Sequence, residues 1–214
     1  MLATARRTAK VLAEALLPAS VVVWRGAAEK RRIALTFDDG PDSLTPQYLE
    51  VLERAGVRAT FFLVGELCEK NPELVRAIAD AGHELGNHGY THRPFPKLRG
   101  RELESELLRT QRLLPKTRRG RALVRPPYGA VSPKSLLTCA RNGFTTVLWS
   151  LNSGDWKRQS AHEIEKTFTE HAAAPGEIVL LHEGQSWTLN ALPTIVGELR
   201  KAGHELVTVS ELLA

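Results

Sequence analysis

The chain has 214 residues, 43% apolar and 25% charged, which fits one globular domain able to bury a full core without metal or disulfide staples. Disordered, collagen-like and transmembrane-bundle architectures are excluded on that footing. Lysine and arginine number 29 against 24 aspartate and glutamate; the resulting +5 favours anionic partners without choosing among wall polymer, lipid phosphate and nucleic acid.

Residues 1–28 stand apart from the rest. Arg6, Arg7 and Lys10 precede an apolar run in the manner of a secretory signal, but Glu14 and Pro18 interrupt it and no small-x-small cleavage site follows. The run is also too short to span a membrane. Ala5, Ala9, Leu12, Ala13 and Leu16 share a helical face, with Arg6, Lys10 and Glu14 on the other side. An amphipathic helix packed on the domain and an interfacial, anchor-like segment are the two readings. The domain proper is expected over 29–214, and a cytoplasmic or membrane-associated location is expected over a secreted one.

Beyond residue 28 a unit recurs: a helical segment, a turn with glycine, then a β-rich run. It is seen in RAGVRATFFLV (54–64), DAGHELGN (80–87), RNGFTTVLW (141–149) and KAGHELVTV (201–209). The lead-in segments 46–54, 72–81, 132–141 and 192–202 have helical spacing, and the glycine stands where a helix end wants positive φ. RIALTF (32–37) and EIVLL (177–181) are further strands without that lead-in. Alternating strands and helices of this length predict a parallel α/β fold, and the chain is short for eight full units. A barrel with fewer strands or an open sheet fits, with chemistry at the carboxyl ends of strands. Cys68 and Cys139 lack C-x-x-C spacing and read as reduced, packed thiols.

Five motifs fall at predicted strand ends. The first strand finishes in Thr36-Phe37-Asp38-Asp39-Gly40-Pro41, where adjacent carboxylates repel and so point to divided labour, one on a cation and one on a proton. A solvated acidic turn is the plain alternative. Next come His88 and His92, which face one way if Asn87–His92 makes a helical turn; Gly89 stands where a zincin needs its glutamate. Arg125-Pro126-Pro127-Tyr128-Gly129 is a proline-stiffened loop. Trp149 and Trp156 bracket a polar stretch containing Asp155, and the run to Leu180-Leu181 ends in His182-Glu183. His83, His162, His171 and His204 have no such pairing and read as surface or packing residues.

Together these motifs resemble the polysaccharide deacetylase family, the NodB-homology domain of carbohydrate esterase family 4. The resemblance runs in motif order from Thr36 to Glu183. It implies an α/β fold of deformed, incomplete (β/α) barrel type, and a hydrolase that removes N-acetyl groups from an N-acetylated glycan of chitooligosaccharide or peptidoglycan kind. Asp39, His88 and His92 would bind one divalent ion, with zinc first and cobalt, nickel or manganese as alternatives. Asp38 would be the base, Arg125 would hold it, and Tyr128 would offer its backbone N–H to the oxyanion. His182 would be the acid, Asp155 would orient it, and Trp156 and Leu180 would shape the acyl pocket.

The chemistry agrees with that assignment. Amide hydrolysis at neutral pH needs an activated water, an electrophile for the carbonyl oxygen and a proton for a poor amine leaving group. Two positions depart from the family pattern: Gly89 where Ser or Thr is usual, which removes a hydroxyl bracing the metal loop, and Asn152 where an acidic residue often precedes the D-W pair. Two rival enzymatic and non-enzymatic readings remain. One is a deacylase or deformylase of a lipid-linked sugar, permitted by the N-terminal segment and the basic stretch 116–125; the other is a catalytically inactive carbohydrate-binding module. A nucleic-acid partner lacks RNP aromatics, a recognition helix or zinc-finger spacing. Peripheral association with membrane or cell wall is compatible with the sequence, and no obligate protein partner is expected.

Overall fold

The computed structural model describes residues 18–115, 121–170 and 172–214. Residues 1–17, which hold most of the expected amphipathic or anchor-like helix, lie outside it, as do 116–120 and His171. Among the described residues, no helix is long and apolar enough to cross a membrane.

The fold is organised about β2 (Arg32–Gly40), whose RIALTF is apolar on both faces because both are covered. Ile33, Leu35 and Phe37 face the helices, in one cluster with Phe61, Leu63, Val179 and Leu181. Ala34 faces the other way, with Phe62, Leu123, Val147 and Ile178. This period of two carries Thr36 and Asp38 to the same inner face.

Around β2 run β1 (Val22–Val23), β6 (Phe144–Val147), β5 (Ala122–Val124), β4 (Glu84–Asn87) and β3 (Thr60–Leu63) on one side. On the other are β8 (Ile178–His182) and β7 (Leu151–Asn152), while β9 (Glu205–Val207) pairs the start of β2. Every strand pairing is parallel. The sheet curls until the chain just past β1 meets the lead-in to β8, through an antiparallel bridge of Arg25 with Glu177 and a Gly26 N–H to Gly176 carbonyl bond of 2.7 Å. That contact, not a ladder, closes the ring: the barrel is incomplete, as expected. Val22 and Val23, assigned by the sequence to the N-terminal segment, are the edge strand on β6.

Helices cover the outer face: α1 (Thr45–Arg54), α2 (Gly65–Lys70), α3 (Pro72–Asp80), α4 (Gly100–Leu113), α5 (Pro133–Arg141), α6 (Asp155–Arg158), α7 (Ala161–Thr169) and α8 (Ser186–Lys201). The short α9 (Val209–Leu212) sends Val209 and Leu212 into the inner cluster. Helices α1, α3 and α5 match the expected segments within a residue. Helix α8 starts six residues before the expected 192 and keeps Pro193 inside it. Burial of Thr188, Ala191 and Leu192 outweighs the proline's lost hydrogen bond. The sequence reading places none of α2, α4, α6 and α7. Gly143, at the end of α5, has φ 83° with open space where a Cβ would be, so backbone conformation alone selects it. Both cysteines are free and buried.

Candidate active site

The five motifs meet at the carboxyl ends of the strands. At the end of β2 the ladder to β3 slips: Asp38 pairs Phe62 and Gly40 pairs Leu63, so Asp39 is an extra residue. It takes φ 74°, unusual for a residue with a side chain. The bulge turns neighbouring carboxylates in different directions, which is how one tight turn can serve two purposes.

Beyond β4, His88 is buried and His92 half-buried. The expected helical turn is absent. Left-handed conformations at Gly89 (φ 77°) and His92 (φ 55°) bring the rings together instead, with centroids 5.1 Å apart. His88 Nδ1 lies 2.7 Å from the Arg125 carbonyl, an acceptor only, so Nδ1 carries the proton and Nε2 presents a lone pair. That Nε2 stands 3.3 Å from Asp39 Oδ1, and His92 Nε2 stands 3.0 Å from the same oxygen. Asp39 Oδ1 is sheltered from solvent and accepts no hydrogen bond. The ligand atoms of Asp39, His88 and His92 all lie within 4.8 Å of one another. Acceptors converging on an orphaned carboxylate oxygen fit a divalent cation.

Arg125, at the end of β5, is fully buried, and each of its three nitrogens donates a hydrogen bond. Nη1 donates to Asp38 Oδ1 and to Thr36 Oγ1, both at 2.7 Å; Nε and Nη2 reach the Val147 and Leu148 carbonyls at 3.2 Å. The guanidinium also lies 4.1 Å above the Phe62 ring. Asp38 is thus fixed through Oδ1, leaving Oδ2 turned toward the histidines, 3.8 Å from His88 Nε2. Removing either partner would strand a buried charge, a loss of about 3–5 kcal/mol.

The RPPYG loop follows. Tyr128 adopts φ 61°, and its 70%-exposed ring lies 4.8 Å from that of His92. The N–H groups of Gly129 and Ala130 are taken by the Pro126 and Pro127 carbonyls. That of Tyr128 has no acceptor among the described residues. A Cβ on Gly129 would lie 2.6 Å from the Trp149 ring, so this tryptophan is the floor of the loop.

His182 ends β8, in register with Asp38. Its Nδ1 is 2.8 Å from Asp155 Oδ1; Asp155 is fully buried in the first turn of α6. Asp155 Oδ1 also takes the Trp156 N–H at 2.9 Å, and Oδ2 takes the His182 N–H at 2.7 Å and the Thr188 hydroxyl at 2.9 Å. Burial opposes protonation of His182, but the Asp155 hydrogen bond and charge, with Asp38 and Asp39 behind, raise its pKa above the ordinary value. Leu180, two residues back on the inner face, is buried, and Trp156 is 54% exposed at the mouth. Asn152 is exposed and accepts the Gly154 N–H at 2.8 Å, which shapes the turn into α6.

All ten candidate residues therefore lie around one mouth. Sequence reasoning missed Thr36, Thr188, Glu106 and the packing of Glu183. Thr36 was inside a quoted motif with a period of two to flag it; the others carried no local signal. His83 and His204 are buried packing residues, His83 accepting the Ala59 N–H.

The sequence model described as polysaccharide deacetylase matches residues 25–147. A peptidoglycan-N-acetylglucosamine deacetylase of Bacillus cereus is 37% identical over 209 residues, spanning 95% of this chain and 98% of its own. A chitooligosaccharide deacetylase of Bradyrhizobium sp. is 34% identical over 200 residues, 85% of this chain and 90% of its own. Among solved structures, a peptidoglycan N-acetylglucosamine deacetylase in complex with 4-naphthalen-1-yl-N-oxidanyl-benzamide superposes with a TM-score of 0.83 at 34% identity, covering 91% of this chain and 93% of its own.

Proposed function

The chain belongs to the polysaccharide deacetylase family, and from that premise we propose that it is a metal-dependent hydrolase removing N-acetyl groups from an N-acetylated glycan of peptidoglycan or chitooligosaccharide type. The observation that carries the reading is the meeting at one mouth of an acceptor-only Asp-His-His set, an Arg-held carboxylate and an Asp-held imidazole. Asp39, His88 and His92 would hold one divalent cation, zinc first with cobalt, nickel or manganese also suited to these donors, and when bound it would supply charge to the amide carbonyl oxygen and acidify a water.

The chain's own groups do the rest. Asp38 takes the water proton on Oδ2, the oxygen that Arg125 leaves open. The Tyr128 N–H is aimed at the developing oxyanion, a donor of a kind worth about 3 kcal/mol. His182, held through Nδ1 by Asp155, presents Nε2 as the proton donor to the departing amine. Leu180 and Trp156 shape the acyl pocket. No serine or cysteine nucleophile is needed.

Acetate release from a panel of N-acetylated glycans, with zinc-reconstituted protein, tests the proposal. Release from a peptidoglycan- or chitin-type substrate is expected. Release from none, with zinc bound, would overturn it.

A further inference from the structure

The loop between the two histidines has almost every peptide group accounted for. The Gly89 N–H goes to Asn87 Oδ1 at 2.9 Å, and the Gly89 and Tyr90 carbonyls accept from Gly65 N and Glu66 N at 2.9 and 3.0 Å. The remaining N–H donors, and the Thr91 hydroxyl, end on one side chain of α4. Glu106 Oε2 accepts the Tyr90 and Thr91 N–H groups, each at 2.7 Å, and Oε1 accepts the Thr91 hydroxyl at 2.8 Å. Thr91 immediately precedes the left-handed His92.

Gly89 lacks the side chain that the family pattern puts there. A Cβ at that position would lie 3.2 Å from the Phe95 ring and 3.6 Å from Glu106 Oε2, so ring and carboxylate bound that space. Asn87 ties the same stretch to α4 by donating to the Leu107 carbonyl at 2.8 Å.

Resting on the reading that Asp39, His88 and His92 take a divalent cation, we infer that Glu106 is a positioning residue: its carboxylate fixes the Tyr90–Thr91 backbone and thereby sets His92 against His88. It touches neither cation nor substrate and acts through the loop. With the carboxylate removed, two N–H groups lose their acceptor and the left-handed turn at His92 loses its anchor. The brace absent at position 89 is supplied from a helix.

The test is the zinc dissociation constant of the apoprotein, read by competition with a chromophoric chelator and without substrate. Glu106→Ala should weaken zinc binding by about 10- to 100-fold, the range for groups that orient metal ligands. Glu106→Gln should stay near wild type, because its amide oxygen can accept both N–H groups and its NH2 can donate to the Thr91 hydroxyl. Thr91→Val, which removes one bond of the three, should fall between. Wild-type affinity in Glu106→Ala, or a glutamine variant as weak as alanine, would overturn the inference. Should the alanine variant fail to fold, Thr91→Val decides: unchanged affinity there contradicts the role. A wild type that binds zinc in this order of variants but releases no acetate would sink the deacetylase reading and leave the inference standing.

Discussion

The mouth contains two carboxylate–imidazole arrangements built on opposite plans. On the β2–β4 side, Asp39, His88 and His92 converge as acceptors, with a left-handed aspartate, a left-handed histidine and a carboxylate oxygen without a hydrogen bond. On the β8 side, Asp155 and His182 form a complete chain, each carboxylate oxygen taking two donors and the ring fixed at the end of a regular strand. The first is unfinished without a cation. The second is finished and needs only a proton to move. Strain gathers where a ligand repays it, and regular structure serves where a pKa must be held.

The most severe way to break the contrast is to remove a ligand. His88→Ala or His92→Ala should drop zinc content from one ion per chain to well below it, with affinity down by more than about 100-fold, beyond what orienting groups account for. Metal analysis of purified variants checks this, and full occupancy in both would contradict the ligand set. Asp38→Asn should do the reverse, keeping zinc while losing about 10²–10⁴ in turnover, since the base is gone and the ligands remain. If Asp38→Asn and Asp39→Asn behave alike in both assays, the bulge does not divide their labour.

On the finished side the effects are smaller and depend on the leaving group. His182→Ala should damage amide cleavage far more than cleavage of an activated aryl acetate, whose phenoxide leaves without a proton. Because the Asp155 hydrogen bond and charge favour the imidazolium, His182 should set the alkaline limb of the amide pH profile. Asp155→Asn removes that charge, so the limb should move to lower pH. Equal losses on amide and ester, with the limb unmoved, would make His182 structural.

The remaining prediction concerns stability. Glu183 is buried against Gly40, accepts the Thr45 hydroxyl and leaves Oε2 without a partner. Burial pushes its carboxyl up to about 8 against the Thr45 bond, with Asp42 and Asp39 adding to the rise. The folded protein therefore keeps a proton that the unfolded chain releases near 4.5. That contribution is full below 4.5 and lost as pH rises through 8, with a slope of at most about 1.4 kcal/mol per pH unit. Glu183→Gln has no proton to lose, so apoprotein denaturation should show the variant gaining on wild type between pH 5 and pH 8. A constant difference across that window would show that Glu183 releases its proton as an ordinary carboxyl does.

What the sequence revealed follows the same contrast. Strand ends with dense local motifs, TFDDGP and RPPYG, stood out in the sequence because their residues lie together along the chain. The alternation of strand, glycine turn and helix gave the parallel α/β class, and the family resemblance that the motifs carry implied the incomplete barrel. The pairing of His88 with His92 was expected from helical spacing; the structure achieves it through left-handed turns that Gly89 permits. Glu106 and Thr188 were invisible because each bonds a partner distant in sequence, from helices that the reading left out or began too late. Pro193 misled the start of α8, since a buried face carries the helix through it. Packing decided these places, and packing leaves no local trace.

The central claim is that the acceptor-only side is completed by one cation that the reaction requires. Apoprotein titrated with zinc, while acetate release from an N-acetylated glycan is followed, tests it most directly. The account predicts negligible release from the chelated protein and a linear rise that breaks at one equivalent per chain. Release that is undiminished by chelation, or that rises with no break near one equivalent, would contradict it.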